Sequence, residues 1–377
     1  MYSRIIQKQI QESLFQNKIV ILYGPRQVGK TTLAKEILKK NNHLQTAYYL
    51  CESPDVEDAL TNKTAKQMKN FFGEKTELIV LDEAQSVPNI GRSLKLLIDT
   101  YPNLQIIVTG SSSFDLANAL NEPLTGRYVD FFLYPLSVLE LQTEFNEWET
   151  KNTLNKMLVT GLYPEVFVRG QGKNQQILNR ITDSYLFEDI LKLENVKSPS
   201  KLKKLLQALA FQVGNEVSLN ELGNLVDLDK NTVNRYLDIL QKAFIIVQLP
   251  AFSRNMRKEI SKNNKIYFYD LGIRNSLIQN FNPLELRNDL GALWENFLII
   301  ERMKRNEYQQ ISSNNYFWRN YSQQEIDYIE EFGGVLNCYE FKWNDRKKAK
   351  LPNSFAAAYP NHTFQVINQD NWLEFVA

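Results

Sequence analysis

Apolar residues recur along this chain with two different periods. Unbroken runs, KIVILY at 18–23, ELIVLD at 77–82 and LQIIVT at 104–109, have the length and β-branched content of strands buried on both faces of a parallel sheet. TAYYL at 46–50 and Phe131–Leu133 read as further strands. Between them the spacing turns helical, with Ile5, Ile6, Ile10 and Leu14 marking a helix over 3–15, Leu33, Ile37 and Leu38 one over 31–40, and 65–72 a third. Pro135 begins a turn into another helix, and 145–195 is helical in pattern except at Gly161-Leu-Tyr-Pro164, with an apolar stripe over 177–193. Lys201–Gln212 and VSLNELGNLV, capped by Ser218, are two more helices. In LDKNTVNRYLDIL at 228–240, Val233, Leu237 and Leu240 point inward and Thr232, Asn234 and Arg235 outward. AFIIVQLPAF and NKIYFYDL follow as two strands joined by SRNMRKEISKNN. A helix over 289–302, burying Leu293, Phe297 and Ile300, then precedes strands at 315–319, 325–329 and 335–342.

Strands alternating with helices predict an α/β class. Helix, turn, helix and hairpin over 198–265 is the order of a winged helix. At 377 residues the length predicts two or three domains, and the 43% apolar and 23% charged content is that of a soluble globular protein. Net charge is only +1, so a basic binding surface must be local. Cys51 and Cys338 lie far apart without metal or disulfide spacing, which predicts a reduced, cytoplasmic setting. The first sixteen residues lack a signal-peptide core, and no run approaches a membrane span, so no membrane partner is expected.

The chemistry concentrates first in GPRQVGKTT, where Gly24 to Thr31 fits the phosphate-loop pattern between a strand and a helix. Gly24, Pro25, Arg26, Gln27, Val28, Gly29, Lys30, Thr31 and Thr32 form the candidate nucleotide-binding set. The glycines let backbone N–H groups turn toward a phosphate, and the helix N-terminus adds positive potential. Lys30 can reach the outer phosphates, the Thr31 hydroxyl can ligate Mg²⁺, and Arg26 reads as structural. In LIVLDEAQ, Asp82 is placed to hold Mg²⁺ and Glu83 to polarise the attacking water; an acidic pair in a solvated turn is the alternative. Thr109, with Ser111 as second choice, can stand beside a γ-phosphate, although the serines at 111–113 can equally cap the next helix.

Together GPRQVGKTT, LIVLDEAQ, IIVTGSSS and LTGRYVDFFLYPLSVLEL cover most of residues 18–142, and here the chain resembles AAA-type ATPases of the AAA+ class, in a bacterial and archaeal subgroup with a C-terminal nuclease-like region. The resemblance implies ATP and Mg²⁺ as cofactors. It makes Arg127 a candidate nucleotide-sensing arginine, in its own site or a neighbouring subunit's, so a homo-oligomer is possible; a structural arginine is the alternative. GLYPE and YLFEDI are similar to the same subgroup and imply a helical lid. Glu188 and Asp189 within it read as a solvated or salt-bridged helix face.

In the winged-helix region Lys230, Asn231, Asn234 and Arg235 can contact bases or phosphates, and Arg254, Arg257, Lys258 and Lys262 gather on the wing, so DNA is the expected partner. A protein-binding winged helix is the alternative. Further on, Glu295 on a helix, Asp327 on one strand and Glu340-x-Lys342 on the next are similar in order to the PD-(D/E)XK nuclease core. That resemblance implies Asp327 and Glu340, completed by Glu295, as Mg²⁺ ligands and Lys342 as a catalytic cation. Each alone is a common surface salt bridge. Arg346, Lys347, Lys348 and Lys350 can grip a phosphate backbone or form a solvated loop.

The expected organisation is an ATPase core at 1–145, a helical lid at 146–197, a winged helix at 198–265 and a nuclease-like domain at 266–377. Its expected function is ATP hydrolysis, carried by Lys30, Glu83 and Arg127, coupled to remodelling or processing of DNA. An ATP-gated nuclease and a signalling or scaffold ATPase with protein-binding modules are the competing assignments.

Overall fold

The buried apolar runs become adjacent strands of one parallel sheet. A computed structural model describes residues 2–110, 124–169, 172–186, 198–254, 263–344 and 349–377. Ser111, Ser112, Ser113, Glu188, Asp189, Arg257, Lys258, Lys262, Arg346, Lys347 and Lys348 therefore lie outside the described residues. The chain divides into two units, residues 1–134 with 242–244, and residues 135–241 with 245–377.

In chain order the first unit contains α1 (Ile6–Glu12), β1 (Ile19–Tyr23), α2 (Lys30–Lys40), β2 (Thr46–Leu50), α3 (Pro54–Leu60), α4 (Ala65–Phe72), β3 (Leu78–Asp82), α5 (Ile90–Thr100), β4 (Gln105–Gly110) and β5 (Tyr128–Phe132). The strands are parallel in the order β2-β3-β4-β1-β5. This order sets β4 between β1 and β3, so the carboxyl ends of all three open on one edge, where ligands of open α/β sheets gather. One face buries Ile19, Ile21, Ile79, Leu81, Ile106 and Val108 with Met68, Phe72, Leu94 and Leu97. On the other face Val20, Leu22, Val80 and Ile107 are also buried, and α2 packs against β3 and β4. Two helices, α3 and α5, go beyond the sequence expectation. The Ile90, Leu94, Leu97 and Ile98 stripe of α5 is helical in spacing, but its start at Asn89, in left-handed backbone (φ 55°), carries no capping hydrogen bond.

The second unit begins with short helices α6 (Val138–Leu141), α7 (Glu147–Asn152), α8 (Leu154–Thr160), α9 (Pro164–Arg169) and α10 (Asn174–Arg180). A π-helical turn, Ile181–Leu186, follows where a continuous helix was expected. Next come α11 (Pro199–Phe211), α12 (Leu219–Val226), α13 (Lys230–Lys242), β6 (Ile246–Leu249), β7 (Lys265–Phe268), α14 (Leu271–Leu277) and α15 (Leu290–Tyr308). The chain closes with β8 (Asn314–Arg319), β9 (Glu325–Phe332), β10 (Val335–Phe341), α16 (Asn353–Ala358), β11 (His362–Ile367) and α17 (Trp372–Val376). β6 and β7 form an antiparallel ribbon; β11-β10-β9-β8 is a second sheet, antiparallel except for the β10/β11 pair. Trp294 and Phe297 of α15 meet Trp372 of α17, with ring centroids 6.3 and 5.6 Å away.

The first unit closes at Tyr134, earlier than the expected boundary at 145. The reason lies in three hydrogen bonds: Leu136 N to Leu162 O at 2.9 Å, Val138 N to Glu301 Oε2 at 2.7 Å, and Lys304 Nζ to Leu136 O at 2.9 Å. They bind residues 136–138 to the second unit. The three modules expected beyond 145 share that unit. Asn275 Nδ2 donates to Leu158 O and Val159 O, and the Asn296 side chain pairs with both backbone groups of Phe268. Among the described residues no helix is long and apolar enough to cross a membrane.

Candidate functional site

At the end of β1 the chain enters the phosphate loop through Gly24, whose φ of 151° and position leave no room for a side chain. A Cβ there would collide with the backbone carbonyl of Leu133. Gly29, at φ 101°, caps α2 in left-handed backbone. Lys30 is buried, and its Nζ donates to the Gly24 and Pro25 carbonyls at 2.8 and 2.9 Å, inside the curve of the loop. Arg4, which the sequence reading passed over, fastens the loop from outside. Its Nη1 donates to Val28 O at 2.7 Å and its Nη2 to Tyr134 O at 2.6 Å. Gln27 adopts φ 61°, and its side-chain oxygen is buried without a hydrogen-bond partner. Thr32 lies exposed on α2.

Asp82 ends β3 and is 2% exposed. One carboxylate oxygen accepts from the Thr31 hydroxyl at 2.8 Å and the Tyr48 hydroxyl at 2.5 Å; the other accepts from the Thr109 hydroxyl. Thr109 Oγ1 also accepts the Glu83 N–H at 3.2 Å. Glu83 sits at φ 54°, ψ 46°, a left-handed conformation uncommon for a side chain of its size, and Gln85 Nε2 holds its Oε2 at 2.5 Å. Thus Lys30, Thr31, Asp82, Glu83 and Thr109, drawn from three strand ends, stand together. Tyr48 is the residue that sequence reasoning missed. In TAYYL the two tyrosines face opposite ways: Tyr49 packs on Phe71 and Phe72, and Tyr48 reaches Asp82. Burial and the Asp82 charge hold the Tyr48 phenol well above its usual range, so it stays a donor. Burial, with Asp82 and Glu83 nearby, pushes the Cys51 thiol up to about 12 and keeps it protonated.

Arg127 is not brought to this group. Parallel pairing sets Ile19 against Tyr128 and Tyr23 against Phe132, so Arg127 stands at the opposite edge of the sheet, where its carbonyl accepts Ile19 N–H at 2.9 Å. A strand of this length separates the two edges by roughly 13–16 Å. The guanidinium is paired with Asp99, Nε to Oδ1 at 2.8 Å. Its expected role in its own site is therefore corrected, and the ion pair with Asp99 accords with the structural alternative.

The second unit gathers the other predicted residues. Glu295 on α15 accepts at Oε1 from Lys265 Nζ at 2.8 Å and from the Tyr267 hydroxyl at 2.5 Å. Lys265, on β7, also pairs with Glu325 on β9. Asp327 Oδ2 accepts the Phe341 N–H at 2.7 Å, and Lys342 Nζ donates to Glu340 Oε1 at 2.6 Å. Burial, then the charges of Glu295 and Glu340, push the Asp327 carboxyl well above its usual range. Burial opposes charge on Lys265, but Glu295, Glu325 and Asp327 outweigh it and hold its ammonium above the ordinary value. The same balance, with Glu340 as the first favourable partner, raises Lys342. Glu295, Asp327, Glu340 and Lys342 thus lie near enough to feel one another's charge, with Lys342 and Glu340 in direct contact. The metal role expected of the three acids does not fit. Among the described residues no group of three or more His, Cys, Asp or Glu side chains is arranged to hold a metal ion.

Residues 16–142 match the family profile of an AAA domain. Residues 151–284 and 290–375 match two domains of unknown function, DUF8612 and DUF4143. The chain is similar to the uncharacterized protein Rv2008c of Mycobacterium tuberculosis, 28% identical over 339 residues that cover 89% of this chain and 72% of that one. It is also similar to the uncharacterized protein MJ1544 of Methanocaldococcus jannaschii, 24% identical over 368 residues, 92% of this chain and 80% of that one. Among solved structures it is similar in fold to the Walker-type ATPase PABY2304 of Pyrococcus abyssi, with a TM-score of 0.52 and 17% identity over 74% of this chain and 96% of that one. The AAA profile and the shared P-loop fold support an AAA-type ATPase core.

Proposed function

We propose that this chain hydrolyses ATP at the Lys30, Thr31, Asp82, Glu83 and Thr109 cluster and uses the reaction to act on DNA, with branched or junction DNA as the first substrate to test. The observation that carries the reading is the meeting of those side chains at the carboxyl edge of the sheet. Their donor set suits Mg-ATP. The Thr31 hydroxyl and the Asp82 carboxylate, 2.8 Å apart, are hard oxygen ligands of the kind Mg²⁺ takes. Mg²⁺ held there would neutralise charge on the outer phosphates. Gly24 and Gly29 bring the loop backbone against the phosphates, and Lys30 exchanges its two carbonyl partners for phosphate oxygens. Glu83, turned out of β3 by its left-handed backbone and steadied by Gln85, orients the attacking water and takes its proton. Thr109 links Asp82 to the Glu83 backbone, so the ion ligand and the base shift together.

Tyr48 positions Asp82 in this scheme. Tyr48→Phe keeps the ring and removes one donor from the carboxylate. Loss of a single hydrogen bond of about 1 kcal/mol lowers ATP turnover by about 5-fold and moves its Mg²⁺ dependence. Unchanged turnover and an unchanged Mg²⁺ profile would show that Tyr48 has no part.

The DNA reading rests on residues 198–265, taken as a winged helix. Asp229 accepts the Asn231 and Thr232 N–H groups at 3.0 Å and starts α13. Val233, Leu237 and Leu240 are buried, and Lys230, Asn231, Asn234 and Arg235 are exposed along the helix. The β11-β10-β9-β8 sheet with α15 supports reading 266–377 as nuclease-like. Gel shifts with duplex, single-stranded and four-way DNA at moderate salt test the proposal. Lys230→Ala with Arg235→Ala weakens binding across sequences and reduces the logarithmic salt slope by about 2. Binding to none of the three DNAs would leave the scaffold ATPase as the better account.

A further inference from the structure

We infer that Glu295, Asp327 and Glu340 form a metal-free, non-cleaving joint between the β6–β7 ribbon and the C-terminal sheet, in which the buried Lys265 ammonium supplies to Glu295 the positive charge that a metal would supply in a nuclease-like site. The inference rests on the nuclease-like reading of 266–377. The Lys265 side chain is only 3% exposed, although it belongs to a residue type that almost never buries unless paired. Its Nζ is in contact with a carboxylate from each of two further elements, Glu295 of α15 and Glu325 of β9, and lies 5.4 Å from the centre of the Phe317 ring. Groups from three elements thus surround the buried ammonium.

Each acid that the nuclease comparison needs is already engaged by a protein donor. Glu295 Oε1 takes Lys265 and Tyr267, Asp327 Oδ2 takes the Phe341 amide, and Glu340 Oε1 takes Lys342. A hard dication wants several oxygens at about 2.0–2.6 Å with little competing positive charge. Here it would meet two ammonium groups instead, one of them sealed in. The joint extends beyond the lysine. The backbone of Lys265 pairs with Glu216, and Arg319 of β8 reaches both Glu216 at 3.3 Å and Glu325 at 3.7 Å. Residues as far apart in the chain as Glu216 and Arg319, 103 positions, are thereby locked by one alternating set of charges. Taking out one member of such a buried set strands the others.

Mn²⁺ binding to the nucleotide-free full chain, counted by electron paramagnetic resonance, tests this. Wild type and Asp327→Asn are expected to bind the same number of ions. Lys265→Met, of similar length without charge, is expected to gain one site, and adding Asp327→Asn is expected to remove it. An Asp327-dependent Mn²⁺ site in the wild type, or no gain in a folded Lys265→Met, would overturn the inference. If Lys265→Met does not fold, the wild type and Asp327→Asn pair still decides it, together with end-labelled DNA incubated with Mn²⁺, where Asp327-dependent cutting would count against it. None of these readouts uses ATP turnover or DNA affinity, so their failure is separable from failure of the proposed function.

Discussion

Lys30→Ala is expected to lower ATP affinity by about 100-fold or more, and turnover at fixed ATP with it. The ammonium of Lys30 is buried and oriented before any ligand arrives, its two carbonyl partners lying within the loop that would wrap the phosphates. Charge-assisted hydrogen bonds contribute about 1.5–3 kcal/mol each, and two of them to phosphate oxygens account for a loss of that size. The same truncation frees the Gly24 and Pro25 carbonyls, so a thermal melt must accompany the titration. A folded Lys30→Ala variant that binds ATP within 3-fold of wild type would mean that the loop is not the nucleotide site. Fluorescent-nucleotide titration gives the affinity, and phosphate release gives the rate.

Glu83→Gln separates binding from chemistry. The substituted amide keeps the size of the side chain and can still meet Gln85, while losing the capacity to take a proton. General-base removal costs about 10²–10⁴-fold in rate, and affinity should stay within a few-fold because Glu83 is not needed to hold phosphate. The left-handed backbone makes this position informative. Its left-handed angles break the extended backbone that Asp82 ends, which sets the two neighbouring acids apart in conformation. If phosphate release continues at the wild-type rate, another group activates the water. Loss of binding along with the rate would instead place Glu83 among the groups that hold the nucleotide.

What could be read from the chain followed from burial on two sides. β1, β3 and β4 have almost no exposed residue, and a strand with no wet face must be a continuous apolar run, visible without any partner. The phosphate loop was equally plain because its glycines, lysine and threonine are local to one turn. Tyr48, Arg4 and Lys265 were hidden for the opposite reason. Each acts on residues 24 or more positions away, through a register that no single stretch specifies. Lys265 also misleads by type, since a lysine at a strand start reads as a solvated edge. Arg127 shows the same limit from the other side. It is five residues from the end of a strand that passes the phosphate loop, yet parallel pairing carries it to the far edge. α3 was missed because PDVEDAL offers only Val56 and Leu60 as buried apolar positions, too few to show a period.

The three hydroxyls that converge on Asp82 have one further consequence. Each of these donors has its acceptor, and the carboxylate is solvated by the protein itself. Under the proposed function, Thr31 and Asp82 would hold a dication within a group of side chains already fixed by the fold, with no loose loop to gather.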